Sequence, residues 1–155
     1  MKPVVFLRVA SILTLVHSVL HTIGGVFGKP VNGAAAAVAA NMRTPFPVFG
    51  LTRSYSEFYM GMGLGVTIFL TMDALLMWVL ASMAKKEAVR LRPLMAALAL
   101  GYLAFAYNSY LFFFAIPVIT ELLIAACIVA AIVTAKPLDS VESNRDTMPL
   151  KTTQS

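Results

Sequence analysis

The stretch from Pro93 to Ala135, PLMAALALGYLAFAYNSYLFFFAIPVITELLIAACIVAAIVTA, runs for 43 residues with a single charged side chain, Glu121. A helix crossing a bilayer needs about 20 apolar residues, so this run is too long for one crossing and suits two joined by a tight turn. Pro117 marks the break, because proline is tolerated in the first turn of a helix and disfavours helical geometry at the residue before it, Ile116. Working outward, Phe58–Ala84 carries one charge, Asp73, and reads as one long, tilted helix. Val9–Gly28 carries none and reads as a single crossing. The predicted spans are 7–27, 56–83, 93–113 and 117–135. Pro93, after the basic stretch Lys85–Arg92, suits the first position of the third, and Gly24, Gly25, Gly28 and Pro30 end the first.

Composition agrees with this segmentation. The chain is 59% apolar and 12% charged, whereas a soluble domain is about 45–50% apolar and about 25% charged. A soluble enzyme, a disordered chain and a nucleic-acid-binding domain are therefore excluded. The expectation is an all-α polytopic membrane protein, a four-transmembrane-helix bundle over residues 1–136. An outer loop covers 28–55, and a flexible polar tail covers 137–155. Cys127 is the single cysteine, which rules out an internal disulfide, a CxxC pair and a cysteine-based zinc cluster. Within IAACIVAA it reads as a small packing residue. Lys2 and Arg8 before an apolar run look like a signal peptide, but the run is longer than a signal core, and a retained helix is expected.

The net charge of +5 resides at span edges. Lys2, Arg8, Lys85, Lys86, Arg90, Arg92, Lys136, Arg145 and Lys151 share one side; Lys29, Arg43 and Arg53 share the other. Nine against three predicts cytoplasmic N- and C-termini in a multi-pass protein of a cytoplasmic membrane. Asn32–Arg43 is alanine-rich and predicts a short helix in the outer loop, a lid or an interfacial segment, ending before Thr44-Pro45-Phe46-Pro47.

Polar side chains are costly in lipid, so the few inside the spans are where function would be written. They are His17 and His21 on span one, Asp73 on span two, Tyr107 and Asn108 on span three, and Glu121 on span four. His17 and His21 are one helical turn apart and share a face. At a rise of about 1.5 Å per residue, His17 lies near mid-plane and Asp73 roughly 6 Å toward the termini. His21, Tyr107, Asn108 and Glu121 fall about 4–8 Å toward the outer side. This predicts a polar pocket in the outer half, with His21–Glu121 and His17–Asp73 as imidazole–carboxylate couples able to hold protons or a polar ligand head. Two histidines and carboxylates also suit zinc or iron, but no metal-binding motif is complete and no metal site is assigned.

At the outer mouth, Arg53, Tyr55, Glu57 and Tyr59 read as an interface anchor or headgroup contact, with Arg53 and Glu57 paired and Ser54 as helix N-cap. Gly61 and Gly65 have the spacing that lets a second helix approach closely.

These residues resemble a family. His21-Thr22-Ile23-Gly24-Gly25 is followed by Arg53-x-Tyr55-x-x-Phe58-Tyr59-x-Gly61-x-Gly63-Leu64. The hinge Val89-Arg90-Leu91-Arg92-Pro93 and the turn Phe112-Phe113-Phe114-Ala115-Ile116-Pro117 come next. Over about residues 5–135 the pattern resembles an uncharacterised family of small bacterial four-span inner-membrane proteins, and its plan is loosely similar to DoxX-type membrane proteins. The resemblance implies the topology and a bacterial inner membrane; it implies no activity. Function is therefore expected from the polar residues. The leading expectation is a protein that binds a small hydrophobic or amphipathic molecule, such as a quinone or a sterol-like compound, in the outer-half pocket. The alternatives are an intramembrane isomerase or oxidoreductase using a His–carboxylate couple, and an accessory subunit packing on homo- or hetero-oligomeric partners. The lipid bilayer is the expected partner, nucleic acid is not, and no cofactor is assigned.

Overall fold

A computed structural model describes residues 2–136; the predicted tail lies outside the described residues. Four long apolar helices are present, each long enough to cross a membrane. Helix α1 (Lys2–Leu20) continues into a π-helical turn, His21–Val26. A short helix α2 (Gly33–Asn41) and a hairpin, β1 (Pro45–Val48) and β2 (Leu51–Ser54), lead into α3 (Tyr55–Glu87). Helices α4 (Arg92–Phe112) and α5 (Ala115–Thr134) complete the chain. The four-span reading therefore holds. Pro117 falls at the third position of α5, and Ile116 is helical, a correction to the expected break. The tolerance has a simple cause: the first helical N–H groups have no internal acceptor, so a proline in the first turn costs nothing there.

The local signals around the outer segment are satisfied. The Asn32 side chain accepts from Ala35 N at 2.9 Å and starts α2. Ser54 Oγ caps α3 by accepting from Glu57 N at 3.3 Å, and donates to Glu57 Oε2 at 3.0 Å. The hairpin between them was not anticipated. Phe49 and Gly50 form its two-residue turn with φ of 45° and 80°, the positive-φ pair that a tight hairpin requires. The usual Asn-Gly or Asp-Gly signal is absent, because a phenylalanine occupies the first position. Helix α2 buries none of its residues.

The bundle is a ring with one open seam. Helix α1 packs on α3 and on α5, and α4 packs on α5; α3 and α4 make no comparable contact, although only residues 88–91 join them. The core is small-residue packing: Ala10, Ala81, Ala84, Ala99, Ala125 and Ala131 surround Leu7, Met77, Met95, Ile124 and Ile128. Buried positions on α3 (Leu70, Ala74, Met77, Leu80, Ala81, Ala84) recur at helical spacing and run from its middle toward its C-terminal end. The dry core thus sits toward the termini, and the opposite half is held differently. Near the termini, Arg8 lies over the Trp78 ring at 5.0 Å, and the Arg92 guanidinium donates to Ala135 O at 2.6 Å, capping the end of α5.

Candidate functional site

From mid-depth to the end away from the termini, α1 and α3 are joined by hydroxyl groups. Along α1, Ser11 donates to Ala74 O at 2.6 Å, and Ser18 donates to Thr67 O at 3.1 Å and lies 2.9 Å from Thr71 Oγ1. One turn on, the Thr22 and Thr67 hydroxyls are 2.9 Å apart. Small hydroxyl side chains let two helices approach and hydrogen-bond where lipid offers no competing partner. This seam escaped the sequence reading, which weighed only the bulkier polar residues. Its signal was present as Ser11, Ser18 and Thr22 on α1 and its π-helical extension and Thr67 and Thr71 on α3, separated by four or seven residues.

His21 belongs to the same seam. Its Nε2 lies 3.1 Å from Gly63 O. A Cβ at Gly25 would sit 3.3 Å from its Nδ1, so Gly25 leaves room for the ring. Gly63 is the glycine that helix approach requires, since a Cβ there would stand 2.9 Å from Val26 Cγ2. Gly61 and Gly65, expected to be the packing pair, have nothing within 4 Å of a built Cβ. They lie off the α1-facing stripe of α3 and make no close packing among the described residues.

The expected imidazole–carboxylate couples do not form. Among the described residues the ion pairs are Arg53–Glu57 at 3.9 Å and Arg90–Glu87 at 3.6 Å, and no histidine is within 4 Å of a carboxylate. His21 faces α3, whereas Glu121 faces α4, where Ser109 Oγ donates to its Oε1 at 3.0 Å. Glu121 is 1% exposed, and its Oε2 is buried without a partner, as is His17 Nδ1. Tyr107 and Asn108 are exposed, because Tyr102, Ala106 and Ser109 are the inward positions of α4. The outer-half convergence of His21, Asn108 and Glu121 in one pocket is therefore corrected: they face different directions. Among the described residues no group of three or more His, Cys, Asp or Glu could hold a metal ion.

At the mouth, the Arg53–Glu57 pair forms as expected. Tyr55 packs against Phe46 with ring centroids 4.8 Å apart and planes tilted by 42°. Tyr59 is exposed on the first turns of α3.

Asp73 is the intramembrane acid that reaches an opening. A cavity of about 150 Å³ lies in the unclosed seam between α3 and α4, lined by Phe69, Leu70, Asp73, Leu98, Gly101, Tyr102 and Phe105. The Tyr102 hydroxyl reaches across it, 3.2 Å from Thr14 Oγ1 on α1 and 3.4 Å from Asp73 Oδ2 on α3. Tyr102 is halfway along α4 and Asp73 is two residues past the middle of α3, about 3 Å at helical rise. Both helices thus put the cleft at the mid-depth of the bundle. Gly101 forms part of its wall with nothing within 4 Å of a built Cβ. Sequence reasoning missed Tyr102, since a tyrosine among apolar residues carries no mark of the polar contact it makes. No family model, no curated protein and no solved structure matches this chain.

Proposed function

We propose that this protein binds a small amphipathic molecule, taking its polar end into the α3–α4 cleft from the hydrocarbon side. The observation that carries the reading is the Asp73–Tyr102 pair at mid-depth in a cavity with otherwise apolar walls. A carboxylate at that depth is expensive, so one that faces an opening argues for use. Ligand sites in bundles lie between helices, with apolar walls and a few placed polar groups. A cavity of about 150 Å³ accepts one small ring or a short length of chain; the remainder of a longer ligand stays in lipid. The pocket expected in the outer half is thereby replaced by one nearer the middle. The same reading takes both termini as cytoplasmic, from the nine-to-three distribution of basic residues, and the membrane as a bacterial inner membrane, from the family resemblance.

The test is Gly101→Leu, which adds a side chain to the cleft wall where a Cβ meets nothing within 4 Å. Native mass spectrometry of the full chain with a panel of membrane amphiphiles should show adducts on the wild type that this variant loses while its melting stays cooperative. Binding unchanged by Gly101→Leu removes the reading. A second reading rests on Gly61 and Gly65, whose surroundings are open: an accessory subunit that packs on another helix there. It predicts a stable oligomer in mild detergent that Gly61→Leu disperses.

A further inference from the structure

We infer that the ligand of the α3–α4 cleft is headed by an amine, so that an ammonium–carboxylate contact with Asp73 forms at mid-depth. This rests on the ligand-binding reading of the cleft and narrows it to a chemical class.

Counting donors and acceptors leads there. The lining offers two polar side chains, Asp73 and Tyr102. A tyrosine hydroxyl has one proton to give, and it is directed to Thr14 Oγ1 or to Asp73 Oδ2. The Thr14 proton is in turn given to Ala10 O at 2.9 Å. The N–H groups of the lining residues belong to helical turns within α3 and α4. No donor is left over, whereas the carboxylate retains acceptor positions. A ligand that only accepts, such as a quinone or an ether, meets acceptor against acceptor. A ligand that donates completes the set.

Charge selects the amine among donors. Among the described residues no Lys, Arg or His lies within 4 Å of Asp73; Arg8 is engaged with the Trp78 ring. Charged groups inside membranes pair with one another, and the protein supplies no partner here. An amine that meets the carboxylate as the ammonium brings both the missing proton and the opposite charge, so the pair is neutral as a whole. The depth excludes a bilayer phospholipid as the source. Half of a hydrocarbon core of about 30 Å separates the cleft from either headgroup layer, and a phosphate would have to follow the amine down. The ligand is a free amine with an apolar ring or chain. Phe69, Phe105 and Leu98 give it walls, and the absent side chain of Gly101 gives it width.

The experiment compares decylamine, decanol, methyl decyl ether and a short-tailed quinone as probes of the full-length protein, read as adduct occupancy by native mass spectrometry. Decylamine should bind about tenfold or more tighter than the ether, the scale of one charge-assisted hydrogen bond, with decanol between them. Asp73→Asn should erase the advantage of the amine, and the amide N–H it introduces should leave the ether bound at least as well as before; Gly101→Leu should abolish all adducts. If the ether or the quinone binds as tightly as the amine and Gly101→Leu still abolishes both, the amine inference is overturned and the cleft stands. If no probe binds, or Gly101→Leu changes nothing, the cleft reading falls and the inference with it. Should Asp73→Asn fail to fold, the probe series on the wild type decides alone.

Discussion

Replacing Tyr102 by Phe removes one oxygen and leaves the ring in place, so the loss reads the hydroxyl contacts alone. Two partners are within reach, Thr14 Oγ1 at 3.2 Å and Asp73 Oδ2 at 3.4 Å, yet a single proton serves only one at a time. The loss is therefore that of one bond. Interhelical hydrogen bonds in membranes contribute about 0.6 kcal/mol on average, and a charged acceptor raises the figure to about 1.5–3 kcal/mol. The longer distance belongs to the charged partner, and 3.4 Å is beyond the usual range, which weights the Thr14 bond. The expected cost of Tyr102→Phe is about 0.5–1.5 kcal/mol, a shift of roughly tenfold or less in the unfolding constant. Equilibrium unfolding in mixed SDS micelles measures it. Double-mutant cycles with Thr14→Val and with Asp73→Asn then apportion the energy, and the coupling to Thr14 should be the larger. A coupling near zero in both cycles would show that the hydroxyl holds nothing, and the Tyr102 bridge would have to be abandoned.

Three other outcomes are expected. Gly63→Ala should destabilise the α1–α3 seam by about 1–3 kcal/mol, the scale of overpacking, and Val26→Ala should recover part of that loss; Gly61→Ala and Gly65→Ala should leave the monomer unchanged in the same unfolding assay. Phe49 is fully exposed at a hairpin tip attached, through Phe46 and Tyr55, to the end of α3, which suits an aromatic at the lipid interface. A Phe49→Trp, Trp78→Phe protein in vesicles should lose emission to brominated lipids and resist aqueous iodide; the reverse pattern would place the tip in water. For topology, cysteines introduced one at a time at Gly50 and Lys86 in a Cys127→Ala background should react with a membrane-impermeant maleimide from opposite sides, Gly50 from outside the cell.

How far the sequence could be read depended on whether a property is local. Helix existence is local in lipid: a run such as Val9–Gly28 must satisfy its own backbone hydrogen bonds, and helix is the answer available to a single segment. Ser54 and Asn32 announced their helices for the same reason, since a cap bonds to a backbone three residues away. The hairpin was missed because its turn is made by Phe49, whose positive φ no local preference predicts. Helical rise put Asp73 roughly 6 Å from the mid-plane, and in α3 it stands two residues past the middle of the helix.

Facing was not legible for the site. Asn108 and Ser109 are adjacent, yet one looks outward and the other donates to Glu121, because an angle of about 100° per residue separates them and the direction of the core is set by the other helices. His17 and His21 share a face by spacing, but which helix that face meets is decided by the packing of α1 on α3. The choice of Gly63 over Gly61 and Gly65 has the same origin. What the sequence by itself determined is a chain of four apolar crossings with its basic residues at the edges, because hydrophobicity and backbone satisfaction act within each segment. Only the tertiary structure decided that α3 and α4 stay apart, that Tyr102 reaches across the gap, and that Asp73 rather than Glu121 faces an opening. Those are relations between segments distant in the chain, fixed by how four helices share one interior.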